Sequence, residues 1–121
     1  MSINSKFFII SGAISGFLAV ALGAFGAHLF QSAITPQMLE IYKTGIMYQL
    51  VHTTIIVSIG LNGNPGYFKT GIFFLIGIIL FSFSLYIYSL TGIIFWTFIT
   101  PFGGLSFLTG WLFLIIKSIK K

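Results

Sequence analysis

Two histidines, one glutamine and a set of hydroxyls are the side chains with chemistry to offer in the apolar body of this chain. Tyr48, Gln49 and His52 share a helical face with Gly45 through i, i+3 and i, i+4 spacing. Ser82, Tyr86 and Ser89 make one line, while Gly77, Ser84 and Tyr88 make another. Thr97, Thr100, Pro101, Gly103 and Gly104 follow, and Pro101 removes a backbone donor, which frees a carbonyl near Thr97. His28 closes an earlier apolar stretch. Imidazole exchanges protons near neutral pH, while amide and phenol groups orient a ligand.

Other chemistries have no residues to use. The chain has no cysteine, so no thiolate metal site or cysteine nucleophile exists. Glu40 is the one carboxylate side chain, and no Ser, His and Asp set, HExxH or P-loop pattern occurs. Neither catalysis, a bound metal nor a cofactor is expected. The net charge of +5 comes from scattered lysines without any arginine, so nucleic acid is not an expected partner.

The elements that must position these groups follow from charge-free runs. Between Lys69 and Lys117 no side chain is charged, and as one helix this run would be about 70 Å long, more than twice a bilayer core of ~30 Å. It must fold back, and Thr91-Gly92 is the expected reversal. Two further uncharged stretches each allow one crossing. The fold class expected is all-α, a polytopic membrane protein built as a four-transmembrane-helix bundle. Its crossings fall at about 7–30, 45–61, 70–90 and 94–116, in one integral membrane domain. A content of 57% hydrophobic against 6% charged residues agrees. Asn62-Gly63-Asn64-Pro65-Gly66 is a dense turn signal, and Thr35-Pro36 reads as a helix start that opens a short interfacial helix carrying Met38, Leu39 and Tyr42.

Charge then orients the bundle. Lys6, Lys69, Lys117, Lys120 and Lys121 fall on one side, against Lys43 offset by Glu40 on the other. By the positive-inside rule both termini are expected to be cytoplasmic, in an inner (cytoplasmic) cell membrane. The first apolar stretch is too long for a usual signal-peptide core and is read as a retained helix.

Gly12, Gly16, Ala19, Gly23 and Ala27 form a small-residue stripe on the first helix, and Ala21 and Ala24 lead a shorter one to His28; small on one face throughout and on a second near its end, this helix is expected to be the central one, and Gly110 plays a similar packing role on the fourth. Apart from Gly77 and Gly110, the polar and small groups of the other crossings fall in the half of the bilayer away from the lysines. Polar groups in lipid need partners or water. Either they line a small pocket open to the outer face, with His28, Gln49 and His52 beside the Pro101–Gly104 bend, or they only tie helix to helix.

The motifs together resemble a known family. Gly23-Ala24-Phe25-Gly26-Ala27-His28, Tyr48-Gln49-Leu50-Val51-His52, Leu80-Phe81-Ser82-Phe83-Ser84-Leu85-Tyr86 and Thr100-Pro101-Phe102-Gly103-Gly104 before Gly110-Trp111 stand in the order of the domain of unknown function 423 family. Its members are small membrane proteins also grouped as UPF0382, with eukaryotic relatives called transmembrane protein 256. The resemblance runs from about Phe7 to Trp111 and implies a four-helix bacterial inner-membrane protein, without a settled reaction or substrate.

Three functions compete. The preferred one is binding or transport of a small molecule or lipid headgroup in a pocket made by His28, Tyr48, Gln49, His52, Ser82, Tyr86, Thr100, Pro101, Gly103 and Gly104. A noncatalytic scaffold subunit would use the small-residue stripes alone. A redox protein would hold haem between His28 and His52. The lipid bilayer is the expected partner, with a homo-oligomer or a membrane-protein partner supplying any transport path too wide for 121 residues.

Overall fold

The structure, a computed structural model, describes residues 1–120. Four helices long and apolar enough to cross a membrane make up nearly all of it: α1 (Ile3–Phe30), α2 (Pro36–Asn62), α3 (Pro65–Thr91) and α4 (Phe95–Ile119). Local chemistry sets their ends. Ser2 caps α1 by accepting from the Ser5 amide at 3.1 Å, and Thr35 caps α2 by accepting from the Met38 amide at 3.1 Å. Gly63 (φ +78°) and Gly92 (φ +70°) close α2 and α3 in the left-handed region, where a side chain would be strained.

The expected interfacial helix is absorbed into α2. No proline or glycine interrupts the chain between Pro36 and Gly45, so the helix that starts at Pro36 runs on for 27 residues. At ~1.5 Å per residue it is about 40 Å long, which exceeds a ~30 Å hydrocarbon core and leaves its first turns for the interface. Glu40 and Lys43 pair there at 3.8 Å, both well exposed.

The first helix is not central. The second and third spans bury 39% and 44% of their most apolar stretch, the first and fourth only 22% each. α1 packs along α2, α4 along α3, and the α2–α3 contact joins the two hairpins. One small-residue stripe serves one partner: a Cβ at Gly12 would lie 2.6 Å from the Val57 side chain, while Gly16 faces Thr53 and Gly23 faces Ile46, all on α2. Ile10, Ile14, Phe17 and Val20 of α1 are exposed on the outer side. On α4, Gly110 gives room to the Phe74 ring of α3.

A continuous apolar core, Phe8, Ile56, Ile59, Phe74, Ile78 and Phe107, threads all four helices, with Phe8 seated where Gly71 has no side chain. Two wide turns of π-helix, Leu22–Gly26 in α1 and Ile78–Ser82 in α3, carry no signal that the sequence reading used. Each has a complement. The Tyr42 hydroxyl donates to the Leu22 carbonyl at 2.7 Å, with Gly26 leaving room for the phenol. Opposite the α3 turn stands Gly103, where a Cβ would collide with the Leu80–Phe81 backbone.

Candidate functional site

Gln49 is the middle residue of α2 and is fully buried. Its amide nitrogen donates to the Ser15 carbonyl at 2.9 Å and the Ser15 hydroxyl at 3.2 Å, and its amide oxygen accepts from the Tyr86 hydroxyl at 2.6 Å. Ser15 also bonds the Thr53 hydroxyl at 2.7 Å. This chain of bonds ties α1, α2 and α3 together and leaves Gln49 no spare donor to aim at a ligand. Ser82 similarly donates to the Gly45 carbonyl at 2.8 Å, and Ser84 meets Thr100 at 2.6 Å across α3 and α4.

His52 belongs to a different set. One ring nitrogen, Nδ1, is 2.7 Å from the Tyr48 carbonyl, and the other, Nε2, accepts from the Trp111 indole at 3.1 Å. The carbonyl can only accept and the indole can only donate, so this geometry holds the neutral tautomer with its proton on Nδ1. The ring stacks on Phe107 with centroids 3.8 Å apart and meets Phe74 edge to face at 4.7 Å. The backbones of α2 and α4 stay apart, with α3 between them, and the two helices meet through side chains: the indole bond and the rings of Tyr48 and His52 against Phe107.

That separation opens a groove of about 560 Å³ between α2 and α4, with α3 as its floor. Tyr48 and His52 form one wall, Phe81 the floor, and Pro101, Gly104, Leu105, Leu108 and Trp111 the other wall. Helix α4 continues unbroken through Pro101. Gly104 keeps the groove wide, since a Cβ there would come no nearer than 3.9 Å to Phe81. The Tyr48 ring rests on Phe81 and Phe107 with 37% of the residue exposed. Its hydroxyl has no hydrogen-bond partner among the described residues.

Of the sequence-predicted residues, the structure therefore brings Tyr48, His52, Pro101 and Gly104 to one groove. Gln49, Ser82 and Tyr86 lie behind it in helix contacts, Thr100 bonds Ser84 at its edge, and Gly103 packs on α3. His28 stands exposed on the last turn of α1, away from the groove. Haem does not fit these donors: both His52 nitrogens are engaged and His28 rides a helix that packs on the side of α2 away from α4.

Trp111 and Ser15 were missed as polar partners. A tryptophan well inside the last lysine needs an acceptor for its N–H, and that requirement was readable.

Comparison with known proteins now places the chain. A family model described as "Protein of unknown function (DUF423)" matches residues 22–104. The chain belongs to the DUF423 family. Relatives of this DUF423 chain include the UPF0382 inner membrane protein YgdD of Escherichia coli (strain K12), 37% identical over 97% of this chain and 92% of its own length. The UPF0382 membrane protein YwdK of Bacillus subtilis (strain 168) is 38% identical over 95% of this chain and 98% of its own. The UPF0382 membrane protein SAB0533 of Staphylococcus aureus (strain bovine RF122 / ET3-1) is 40% identical over 95% and 97%. No solved structure matches. This DUF423 member is a small multi-pass cell-membrane protein with a four-helix transmembrane fold.

Proposed function

We propose that the chain is a binding protein of the membrane interior, whose α2–α4 groove takes a membrane-dissolved molecule that is apolar over most of its surface and offers one hydrogen-bond acceptor. The Tyr48 hydroxyl carries this reading. This phenol, on a residue 37% exposed in an apolar groove, has no partner among the described residues. A hydroxyl without a partner in an apolar medium is costly, so an acceptor supplied from outside stabilises the bound state. The groove faces the bilayer between two helices, a usual place for a ligand site in a bundle. Its apolar lining favours a lipid-like molecule over a free headgroup.

Trp111 gives the test. In a Trp96→Phe variant it is the chain's remaining indole, and its fluorescence should change saturably as monooleoylglycerol is added to the detergent-purified protein. Gly104→Leu, which fills the groove from an uncrowded position, should abolish that change, and Tyr48→Phe should weaken binding about tenfold, the effect of one lost hydrogen bond. An unchanged titration in Gly104→Leu would refute the reading.

A further inference from the structure

Lys117 is placed unlike the other lysines. Lys6, Lys43, Lys69 and Lys120 stand exposed, whereas Lys117, near the end of α4, is partly buried. Its stem lies over Gly66, where a Cβ would meet both its Cε and its Nζ. Glu40, the chain's one carboxylate side chain, sits in the first turns of α2 at the opposite end of the bundle, and the Lys117 ammonium bonds no acceptor among the described residues. A cation held at the edge of the hydrocarbon without a counter-charge favours one supplied from outside.

Beneath that ammonium is a hollow of about 230 Å³ between α2, the start of α3 and α4, lined by Ile55, Ser58, Ile59, Asn62, Tyr67 and Leu114. Leu114 precedes Lys117 by one turn of α4 and Tyr67 follows Gly66, so Lys117 stands at its mouth. Inside, the surface is apolar, since the Ser58 hydroxyl is spent on the Thr54 carbonyl at 2.8 Å. The Asn62 side-chain oxygen accepts from the Asn64 amide at 3.1 Å, while the Asn62 side-chain nitrogen and the Tyr67 hydroxyl have no partner among the described residues. From Asn62 down to Ile55 the hollow follows α2 for about 10 Å, most of the ~15 Å of hydrocarbon in one leaflet.

We infer that Lys117 and this hollow bind one anionic phospholipid of the leaflet at the lysine-rich end: its phosphate pairs with the Lys117 ammonium, Asn62 and Tyr67 donate to its oxygens, and one acyl chain lies along Ile55, Ile59 and Leu114. Charge selects the head. Lys6, Lys69 and Lys120 share this end of the bundle, and their summed field favours a net negative lipid over a zwitterionic one. The apolar hollow selects the tail, because a free phosphate would leave it unfilled and would hold Lys117 by a solvent-screened pair alone. This site does not rest on the Tyr48 groove. Ile55 follows His52 and Leu114 follows Trp111 by one turn, so the His52–Trp111 bond divides the two.

Native mass spectrometry of the detergent-purified protein tests this. Palmitoyl-oleoyl-phosphatidylglycerol should bind as one saturable adduct, about tenfold more tightly than the phosphatidylcholine with the same chains. Lys117→Gln should remove that preference, whereas Lys120→Gln, at an exposed lysine, should leave it unchanged. Leu114→Trp, which fills the hollow and is checked for an unchanged melting temperature, should weaken phosphatidylglycerol about tenfold with Lys117 intact. Gly104→Leu, in the other groove, should have no effect, and release of the lipid by that change would assign it to the Tyr48 groove and overturn this site. Equal losses in Lys117→Gln and Lys120→Gln would show diffuse attraction to the lysine-rich end, and no loss in Lys117→Gln or in Leu114→Trp would remove the head or the tail contact; each refutes the inference. Displacement of the lipid by excess glycerol 3-phosphate would do the same, marking a site for soluble phosphate instead.

Discussion

His52 presents two nitrogens to two different helices, and each has one partner. Replacing it by leucine leaves the Trp111 indole N–H without an acceptor, and an unpaired donor of this kind costs about 1–3 kcal/mol. Hydrogen bonds between membrane helices average only ~0.6 kcal/mol in double-mutant cycles, so most of the expected loss is the orphaned donor rather than the bond itself. His52→Leu should therefore lower the unfolding midpoint in detergent, and adding Trp111→Phe should recover part of the loss. Full additivity of the two changes would show that the bond carries no coupling. The interest of His52 as a titratable group was readable from its type and spacing. Its direction was not: Gln49 and His52 are one turn apart on the same helix, yet the first turns to α1 and α3 and the second to α4. Only the positions of the neighbouring helices separate them.

At the scale of elements, Gly103 comes closer to a neighbouring backbone than any other glycine among the described residues, where it meets the wide turn of α3. Two adjacent glycines on α4 then make opposite demands. Gly103→Ala should reduce folded yield sharply, because the clash is with backbone, which cannot rotate away as a side chain can. Gly104→Ala, whose added methyl would make only an ordinary contact with the Phe81 ring, should fold as well as the parent. Equal behaviour of the two in size-exclusion and thermal unfolding would place the α3–α4 contact elsewhere.

The four helices themselves were legible, since charge-free length against bilayer thickness leaves few alternatives, and the left-handed glycines at Gly63 and Gly92 stand where turn residues cluster. The wide turns were not. Leu22–Gly26 and Ile78–Ser82 are apolar runs that fit an α-helix equally well, and they exist because Tyr42 and Gly103, distant in sequence, accommodate them. The placing of α1 at the centre failed for a related reason. The longer stripe packs on α2, while Ala24 of the shorter one stays exposed: small residues on a face permit a close neighbour and do not supply one.

For the whole molecule, the beginning of α1 and the end of α4 lie beside the α2–α3 turn: Ser5 is near Gly60 and Gly63, and Lys117 is against Gly66. Lys69 joins this end, its ammonium 5.6 Å from the Phe113 ring centroid. We propose that this end faces the cytoplasm, given the excess of lysine there. Alkaline phosphatase fused at either terminus should be inactive in cells and green fluorescent protein at either terminus should glow, whereas the reverse pattern would turn the bundle over. The position of the groove has a further consequence for how such a chain is made. Its second wall is α4, the last of the four helices to leave the ribosome, and a nascent chain already carrying α1 to α3 has the floor and one wall but no enclosure. Until α4 docks, the Tyr48 face of α2 is open to lipid and His52 has no indole to meet. Any molecule held in the groove is thus acquired only after translation of the fourth helix, which makes occupancy a mark of the finished protein rather than a guide to its assembly.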